Sequence, residues 1–450
     1  MFDTIAAIST SLGVGAISII RVSGKDAINY ANKIFSSDLL KKEDHTITYG
    51  YILDGEETID EVLVSIMKAP KTFTREDVVE ISCHGGVAIT KKILELLLKN
   101  GCRLAEPGEF TKRAFLNGRI DLVEAEAVMD LISTKSEESR KIAINNLQGN
   151  TTKTIKELRN QILDLLASIE VNIDYPEYQD IEEMTNDKVD KLINDIRSKL
   201  GSILKNSKNS KLIKDGINVA IVGRPNVGKS SLLNLLLDEN KAIVTDIEGT
   251  TRDIVEGSVE LDGILLNFID TAGIRSTSDV IEQIGVNKSI DMINNADLVL
   301  MLLNSNEKMT EEDKKILEMV KDKNVIVVLN KNDLEEEIEL DILKDYDVVR
   351  TNTLNQNGIL ELTSKIKEKF DLDKLNVKDF NYLSNANQVV MLEESLKYLD
   401  DVEKGIKDNL PIDMIEIDIK NIWNKLGEII GETYSDQLLD QLFSKFCVGK

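Results

Sequence analysis

Hydrophobic residues in the first quarter of the chain alternate between strand-like and helix-like spacing. Up to residue 118, short apolar runs predict strands at 16–22, 46–53, 62–67 and 78–82, and helical patterns lie at 26–35 and 88–99. Gly101 follows the second of these patterns, where a glycine commonly ends a helix. The segment therefore reads as an α+β domain.

From residue 119 the spacing changes to long helical stripes. One stripe consists of Ile155, Leu158, Ile162, Leu165, Ile169 and Ile173, which recur at three- and four-residue steps. Similar stripes return after residue 373, for example at Ile415, Ile419 and Ile422. Since an apolar stripe needs a buried partner, we expect the C-terminal helices to pack on those of 121–210.

Residues 214–372 alternate strand and helix, the pattern of a mostly parallel sheet with right-handed crossovers. The predicted strands are 218–222, 265–269, 298–303, 325–329 and 348–351. Because helical segments flank this stretch, we predict an α/β domain inserted into an all-α domain. The predicted domains are 1–118, 119–213, 214–372 and 373–450.

Composition narrows the class of protein. The 450 residues suggest about three domains, and a net charge of -24 argues against attraction of the whole surface to nucleic acid or anionic membrane. Cys83, Cys102 and Cys447 have neither metal-type nor disulfide-type spacing, which indicates a reducing compartment. No signal peptide or membrane-spanning run is visible, so we expect a cytoplasmic protein with no membrane partner.

The clearest chemical motif is a glycine-rich run at 223–230, between an apolar strand and a helix. This is the context in which the pattern G-x-x-x-x-G-K-S forms a phosphate-binding loop. Its glycines let backbone N–H groups converge on phosphate oxygens, and the helix N-terminus favours negative charge. We expect Lys229 to reach the β/γ-phosphates and Ser230 to ligate Mg²⁺.

Two later motifs indicate a GTPase of the Ras-like type. Asp270-Thr271-Ala272-Gly273 follows a strand, which places an acid beside the phosphates to hold Mg²⁺ through water. Asn330-Lys331-Asn332-Asp333 follows another strand. The Asp333 carboxylate can accept two hydrogen bonds from guanine and none of that kind from adenine. Between the phosphate loop and Asp270, a threonine of 249–253 can complete the Mg²⁺ shell.

Several positions depart from the commonest switch GTPases. Ile274 stands where Ras-like switches have a water-orienting glutamine, so another group must place the water. Glu282 is the nearest carboxylate downstream, although the residues alone favour a surface acid at a helix start. The Asn226 amide could ligate a monovalent cation beside the phosphates or could simply be a turn residue.

Two other stretches have competing interpretations. Lys205, Lys208, Lys211 and Lys214 lie in a run without acids, which is typical of a solvated helix end and less often of a nucleic-acid contact. The run 83–86, Cys-His-Gly-Gly, looks like a metal-site fragment but lacks partner ligands. We interpret it as a strand end followed by a turn.

Together these motifs resemble the MnmE (TrmE) family of tRNA-modification GTPases. The resemblance rests on 223–231, 249–253, 270–273, Glu282, the stretch 108–119 and the Phe-Cys-Val-Gly-Lys ending at 446–450, all in the family's order. It implies a multidomain protein. The N-terminal α+β domain is tetrahydrofolate-binding-like and dimerising, the central domain is all-α, and the inserted domain is a Ras-like α/β P-loop GTPase.

The resemblance also implies roles for individual residues. A 5-formyl-tetrahydrofolate-type donor is held at positions matching Arg21, Glu80, Arg119 and Lys450. The family's K⁺ ligands match Asn226, Thr245, Ile247 and Thr250, and its Mg²⁺ ligands match Ser230 and Thr251. Glu282 matches the carboxylate that orients the attacking water. Cys447 matches a cysteine that the family requires for modification. The remaining nucleotide-binding positions are Val227, Gly228, Lys229, Ser231, Asp246, Glu248, Gly249, Asp270, Thr271, Ala272, Gly273, Asn330, Lys331 and Asp333. The fifth guanine-nucleotide motif departs from the family, since the matching stretch, 350–354, reads Arg-Thr-Asn-Thr-Leu.

The implied function is K⁺-dependent GTP hydrolysis, activated when the two G domains of a homodimer meet. With an FAD-dependent partner, MnmG (GidA), in a heterotetramer, the family forms an aminomethyl or carboxymethylaminomethyl group at C5 of wobble uridine 34 of tRNA. Two alternatives remain. A ribosome-assembly GTPase like Era or Der leaves the folate-type N-terminus unexplained, and a folate-dependent enzyme leaves the GTPase incidental.

Overall fold

The computed structural model describes residues 3–174, 186–239, 255–269, 292–353, 357–370, 372, 380–434 and 436–449. The chain divides into two compact units. Unit 1 comprises Met1–Met129, Thr152–Asp190 and Val390–Lys450, and unit 2 comprises Asp130–Thr151 and Lys191–Val389. Among the described residues, no helix has the length and apolar character needed to cross a membrane.

Unit 1 is built around a six-stranded sheet. Its strands are β1 (Ile5–Ile8), β2 (Ile17–Ser23), β3 (Thr46–Asp54), β4 (Glu57–Met67), β5 (Val78–His84) and β6 (Arg103–Leu104). They lie in the order β3-β4-β5-β2-β1-β6, and every neighbouring pair is antiparallel except β1 with β6. Strands β1 and β6 are missing from the sequence prediction because four and two residues are too few to show a period.

One face of this sheet carries the core of the domain. Alternate residues of β4, namely Val62, Val64 and Ile66, are buried, as the two-residue period of a strand requires. They pack in one apolar cluster with buried residues of α1 (Ala27–Asn32) and α2 (Val87–Lys99). The observed α1 is shorter than the predicted helix 26–35.

The remaining helices of unit 1 come from distant parts of the chain. They are α3 (Glu109–Leu116), most of α4 (Leu122–Ser133), most of α6 (Asn150–Asp174), most of α11 (Ala386–Lys407), α12 (Ile412–Ile430) and α13 (Asp436–Phe443). Arg159 of α6 stacks on the Trp423 ring of α12 at 4.2 Å, and Leu122 of α4 clusters with Phe443 of α13. The C-terminal helices thus pack on those after residue 119, as the stripes predict.

Unit 2 contains a second six-stranded sheet. Its strands are β7 (Ile217–Val222), β8 (Val255–Leu261), β9 (Ile264–Ile269), β10 (Leu298–Asn304), β11 (Val325–Asn330) and β12 (Asp347–Arg350), in the order β12-β11-β10-β7-β9-β8. All neighbours are parallel except β8 with β9. Every residue of β10 and β11 is buried, which explains their continuous apolar sequences. Strand β8 was not predicted.

Helices complete unit 2. They are α5 (Glu137–Leu147), α7 (Asn186–Asp215, from Lys191 onward), α8 (Lys229–Glu239), α9 (Glu311–Val320), α10 (Ile359–Lys369) and a 3₁₀ turn at Leu340–Leu343. Ile142 of α5 shares a core cluster with strand residues of this sheet. The mixture of an α+β unit, long helices and a P-loop α/β sheet confirms the predicted fold class.

Candidate functional site

The phosphate loop runs from β7 into α8, and its glycines occupy positions that no other residue fits. Gly223 has φ +147°, and a Cβ there would lie 2.5 Å from the Leu302 carbonyl oxygen. Gly228 has φ +104°, and its Cβ would lie 2.3 Å from Nδ2 of Asn330. Both the backbone conformation and the close neighbours therefore require glycine. The loop ends at Lys229, where α8 begins and its free N–H groups favour an anion.

Lys229 is held inside this loop. Its ammonium group donates to the Gly223 carbonyl at 2.6 Å and to the Arg224 carbonyl at 2.7 Å. Burial lowers the pKa of Lys229, since a desolvated ammonium group favours the neutral form. A negatively charged phosphate oxygen beside the ammonium group would favour its protonated form. Asn226 lies in the left-handed region at φ +63° and is exposed.

A second loop, after β11, contacts the phosphate loop directly. Asn330 is buried, and its Nδ2 donates to the Val227 carbonyl at 2.9 Å. Its Oδ1 has no hydrogen-bond partner among the described residues, which leaves an acceptor next to the phosphate loop. Lys331 adopts the left-handed conformation, and Asp333 is exposed beyond it. The predicted phosphate and guanine motifs therefore share one end of the sheet.

The atypical fifth motif lies beside the guanine loop. The Asn332 amide donates to the Thr351 carbonyl at 3.3 Å, and the Asn352 amide donates to the Asn357 carbonyl at 3.0 Å. The Thr351 hydroxyl is buried without a hydrogen-bond partner in the described part of the chain. The position of this stretch suits a base-capping role for its backbone. Leu354 lies outside the described residues.

Many predicted nucleotide and metal positions also lie outside the described residues. They are Thr245, Asp246, Ile247, Glu248, Gly249, Thr250, Thr251, Asp270, Thr271, Ala272, Gly273 and Glu282. Of the predicted metal ligands, the structure describes only Asn226 and Ser230, which are both in the phosphate loop. Ser231 is exposed on the first turn of α8.

A separate constellation in unit 1 gathers three of the predicted folate positions. Arg21 on β2 and Glu80 on β5 are cross-strand neighbours, and the Arg21 Nε donates to Glu80 Oε1 at 2.8 Å. The Arg21 guanidinium lies 5.9 Å from the centre of the Phe73 ring, and that of Arg119 lies 4.7 Å from the same ring. Two cations therefore lie near the Phe73 ring, and Glu80 is paired with one of them. Sequence analysis did not single out Phe73, which has no motif of its own.

The C-terminal tail packs against this constellation. The Gly449 carbonyl accepts hydrogen bonds from Ser9 Oγ at 3.1 Å and from Arg21 at 3.4 Å. The Cys447 carbonyl accepts from the Gly108 amide at 3.2 Å, while the Cys447 side chain is exposed. These bonds hold the thiol-bearing segment beside Arg21. Lys450, the fourth predicted folate position, lies outside the described residues.

Two half-buried acids follow Arg119 and were not predicted. Asp121 and Glu124 form a capping box at the start of α4, in which each backbone N–H donates to the other's carboxylate at 2.9 Å. Burial raises the pKa of both carboxyl groups. The pattern Asp-x-x-Glu before an apolar run is the signal that could have identified this helix start.

The two ambiguous stretches have simple structures. Cys83 and His84 end β5, and His84 Nδ1 lies 2.7 Å from the buried Asp60 carboxylate. No cluster of His, Cys, Asp or Glu suited to a metal ion occurs in the described ranges. On α7, Lys205, Lys208 and Lys211 are exposed, and Lys214 contacts Asp130.

Comparison with known proteins places the whole chain in one family. Residues 4–119 match the model described as GTP-binding protein TrmE N-terminus, and residues 122–447 match the model described as MnmE helical domain. The tRNA modification GTPase MnmE of Bacillus cytotoxicus is 51% identical over 456 residues, covering 100% of both chains. The protein of the same name from Streptococcus thermophilus is 51% identical over 451 residues, covering 100% of this chain and 99% of that one.

Among solved structures, the G domain of the T. maritima FeoB iron transporter is 29% identical. It covers 34% of this chain and 98% of that chain, with a TM-score of 0.26, too low to carry a structural argument. The assignment to a family therefore rests on the two family models and on the full-length relatives. Together with a phosphate loop and a guanine loop at one end of a parallel sheet, they show that this chain is a GTPase of the MnmE family of tRNA-modification proteins.

Proposed function

We propose that this protein hydrolyses GTP to support formation of an aminomethyl or carboxymethylaminomethyl group at C5 of wobble uridine 34 of tRNA. The relatives that cover its whole length carry the name tRNA modification GTPase. The observation that carries the proposal is the docked tail of unit 1: the Gly449 carbonyl accepts from Arg21, which is paired with Glu80, and the Cys447 carbonyl two residues earlier accepts from the Gly108 amide. A GTPase that only switches a binding surface has no use for such a site. We infer an FAD-dependent MnmG-type partner in a heterotetramer.

The constellation in unit 1 suits a folate-type one-carbon donor. The pterin ring presents an N–H and an amino group side by side, which one carboxylate such as Glu80 can accept together. The glutamate tail of the donor carries carboxylates, which Arg21, Arg119 and Lys450 can pair. The half-buried Phe73 ring offers a face for stacking. The donor supplies the carbon, and these residues bind and orient it.

A homodimer is supported by an apolar surface on the same sheet. Ile47, Tyr49 and Tyr51 of β3 and Leu63 of β4 are exposed at 68%, 57%, 40% and 47%. Tyr49 and Leu63 are direct cross-strand partners, so the four side chains form one patch on the face opposite the core. We propose that a second copy of this chain covers the patch. We also propose a cytoplasmic localisation, which agrees with the free thiols of Cys83, Cys102 and Cys447.

For GTP hydrolysis we assign roles to individual residues of the nucleotide-binding motifs. Lys229 binds the β/γ-phosphates, Ser230 and Thr251 hold Mg²⁺, and Asp333 recognises guanine. Glu282 orients the attacking water. Asn226, Thr245, Ile247 and Thr250 hold K⁺, which supplies positive charge beside the terminal phosphates. Of these four residues the structure describes Asn226, which is exposed in the phosphate loop.

The cation role has a direct test. GTP turnover is measured in KCl and in NaCl at equal ionic strength, with the wild type and with Asn226→Gly. Glycine tolerates the backbone conformation at φ +63°, so this variant removes the amide oxygen without adding strain. We expect K⁺ to raise the GTP turnover of the wild type. The variant should lose most of this stimulation. Turnover indifferent to the cation would remove the K⁺ role.

The water-orienting role is tested with Glu282→Ala. We expect GTP affinity to stay near the wild-type value while turnover falls about 100-fold or more, as is typical for loss of a group that acts in the transition state. Unchanged turnover would reassign this role to another residue.

The modification itself is tested with the purified chain, the flavoprotein partner, unmodified tRNA, a tetrahydrofolate donor, GTP and KCl. Mass analysis of nucleoside 34 should show the added group. Cys447→Ser should abolish that product and leave GTP turnover unchanged. Val448→Ala, which alters the exposed neighbouring side chain, is the matched control and should retain both activities. A full yield of product from Cys447→Ser would end the proposed role of the thiol.

A further inference from the structure

The phosphate loop contains an arginine whose side chain points away from the phosphate-binding groups. The Arg224 Nε donates to Asp313 Oδ1 at 2.9 Å, and a terminal nitrogen donates to Glu307 Oε2 at 3.0 Å. Both acids follow β10, more than 80 residues further along the chain. The Arg224 side chain is 20% exposed and that of Asp313 is 1% exposed. The contact with Asp313 is therefore largely withdrawn from solvent, where charge-assisted hydrogen bonds are strong, whereas the Glu307 side chain is 43% exposed.

Asp313 is a rigid anchor because it also caps a helix. Its Oδ2 accepts from the Thr310 amide at 2.9 Å and from the Thr310 hydroxyl at 2.8 Å, at the start of α9. The Asp313 amide donates back to the Thr310 hydroxyl, which completes a capping box. One carboxylate oxygen thus fixes the helix and the other fixes Arg224.

Glu307 connects the same arginine to the guanine loop. The side-chain Nδ2 of Asn304 donates to Glu307 Oε1 at 2.7 Å. The hydrogen bonds from Asn304 and Arg224 hold the pKa of Glu307 below its usual range. Between them in the chain, the Ser305 amide donates to the Asn330 carbonyl and its hydroxyl donates to the Lys331 carbonyl, both at 2.9 Å. Residues 304–307 therefore link the two nucleotide-binding loops.

The backbone of Arg224 in turn contacts Lys229, the phosphate-binding lysine. The Arg224 carbonyl, together with that of Gly223, accepts the hydrogen bonds of the Lys229 ammonium group. A shift of the Arg224 backbone would therefore move Lys229 relative to the phosphates. An arginine side chain held by two carboxylates in this way is poorly suited to reach the γ-phosphate itself.

We propose that Arg224 is a positioning residue for GTP. Its side chain, anchored on Asp313 and Glu307, fixes the first half of the phosphate loop, and through it the place from which Lys229 meets the phosphates. The link through 304–307 makes the phosphate and guanine loops one binding unit. Arg224 acts on nucleotide retention and takes no part in the chemical step.

The test uses the full chain with three variants. Arg224→Met keeps the length of the side chain and removes its charge, Arg224→Lys keeps the charge and loses the planar fork, and Glu307→Gln weakens one anchor. Arg140→Met is the matched control, since Arg140 pairs with Glu137 on the exposed surface of α5. The readouts are the dissociation rate of fluorescent GDP and the separate KM and kcat for GTP.

We expect Arg224→Met to speed GDP dissociation and to raise the KM about tenfold or more, with kcat changed less than about threefold. Arg224→Lys should be intermediate, and Arg140→Met should match the wild type. Combining Arg224→Met with Glu307→Gln should add little, because both changes break one link.

Two results would overturn the proposal. One is a wild-type dissociation rate in Arg224→Met. The other is a large fall in kcat with unchanged KM, which would make Arg224 a group acting in the transition state. If Arg224→Met lowers the melting temperature of the protein, the decision passes to Arg224→Lys and Glu307→Gln, whose dissociation rates must then exceed that of the wild type.

Discussion

Gly449→Ala should detach the C-terminal tail from unit 1. Gly449 has φ +90°, and a Cβ there would lie 2.3 Å from the Ile8 carbonyl oxygen and 2.9 Å from Ser9 Cα. Both neighbours are backbone atoms at the end of strand β1, whose other three residues are buried, and of the residue after it, so the tail must move instead. The movement breaks the hydrogen bonds that the Gly449 carbonyl accepts from Ser9 and Arg21.

The size of the effect follows from these contacts. An alanine in the left-handed region costs about 1–2 kcal/mol, and each lost hydrogen bond adds about 0.5–1.5 kcal/mol. Docking should therefore weaken by about 2–5 kcal/mol, which is about 30- to 4,000-fold in the equilibrium between docked and detached tail. Hydrogen exchange at the Gly108 amide, which donates to the Cys447 carbonyl, reports this equilibrium.

The matched control is Gly55→Ala in the β3–β4 turn. Gly55 also has positive φ, +65°, but no atom lies within 4 Å of the position that a Cβ would occupy, so alanine there brings backbone strain without a clash. We expect faster exchange at Gly108 and loss of tRNA modification in Gly449→Ala only, with GTP turnover unchanged in both variants. Exchange at Gly108 as slow in Gly449→Ala as in the control would refute the docking argument.

Two further predictions concern single side chains. Asp333→Asn replaces a carboxylate, which accepts two hydrogen bonds, by an amide, so GTP affinity should fall about tenfold or more. Xanthosine triphosphate, which has a carbonyl in place of the amine, should bind better to the variant. Competition binding measures both affinities, and an unchanged preference would remove Asp333 from base recognition. His84 should titrate above its ordinary pKa of 6.5, because its hydrogen bond to Asp60 favours the charged ring. The stabilisation it contributes is then complete below pH 6.5 and is lost as pH rises through the raised pKa; NMR titration checks this, and a His84 pKa at or below 6.5 would contradict it.

Local patterns predicted the parts of the fold that local forces determine. The phosphate loop was recognisable because a buried strand, two obligatory glycines and a helix start lie within about 20 residues. Strands β10 and β11 were recognisable because burial on both faces demands unbroken apolar runs. The packing of α12 on α6 followed from apolar stripes that have no other way to leave water.

The features that were missed depend on partners far away in the chain. Nothing near Arg224 indicates that Asp313 and Glu307 will hold it, and Gly449 reaches Arg21 across 428 positions. Strand β8 pairs only along one edge, and its sequence mixes glutamate, serine and glycine with valine, so its alternation is weak. The acids Asp121 and Glu124 owe their raised pKa to burial, which only the assembled helices create.

The central claim is that this GTPase serves the modification of wobble uridine in tRNA. The most direct measurement is mass analysis of nucleoside 34 from the tRNAs of cells that lack this protein, with and without the gene restored. We predict that the aminomethyl or carboxymethylaminomethyl group at C5 disappears and that the wild-type gene restores it, whereas Lys229→Ala does not. Fully modified wobble uridines in the cells without the protein would contradict the account.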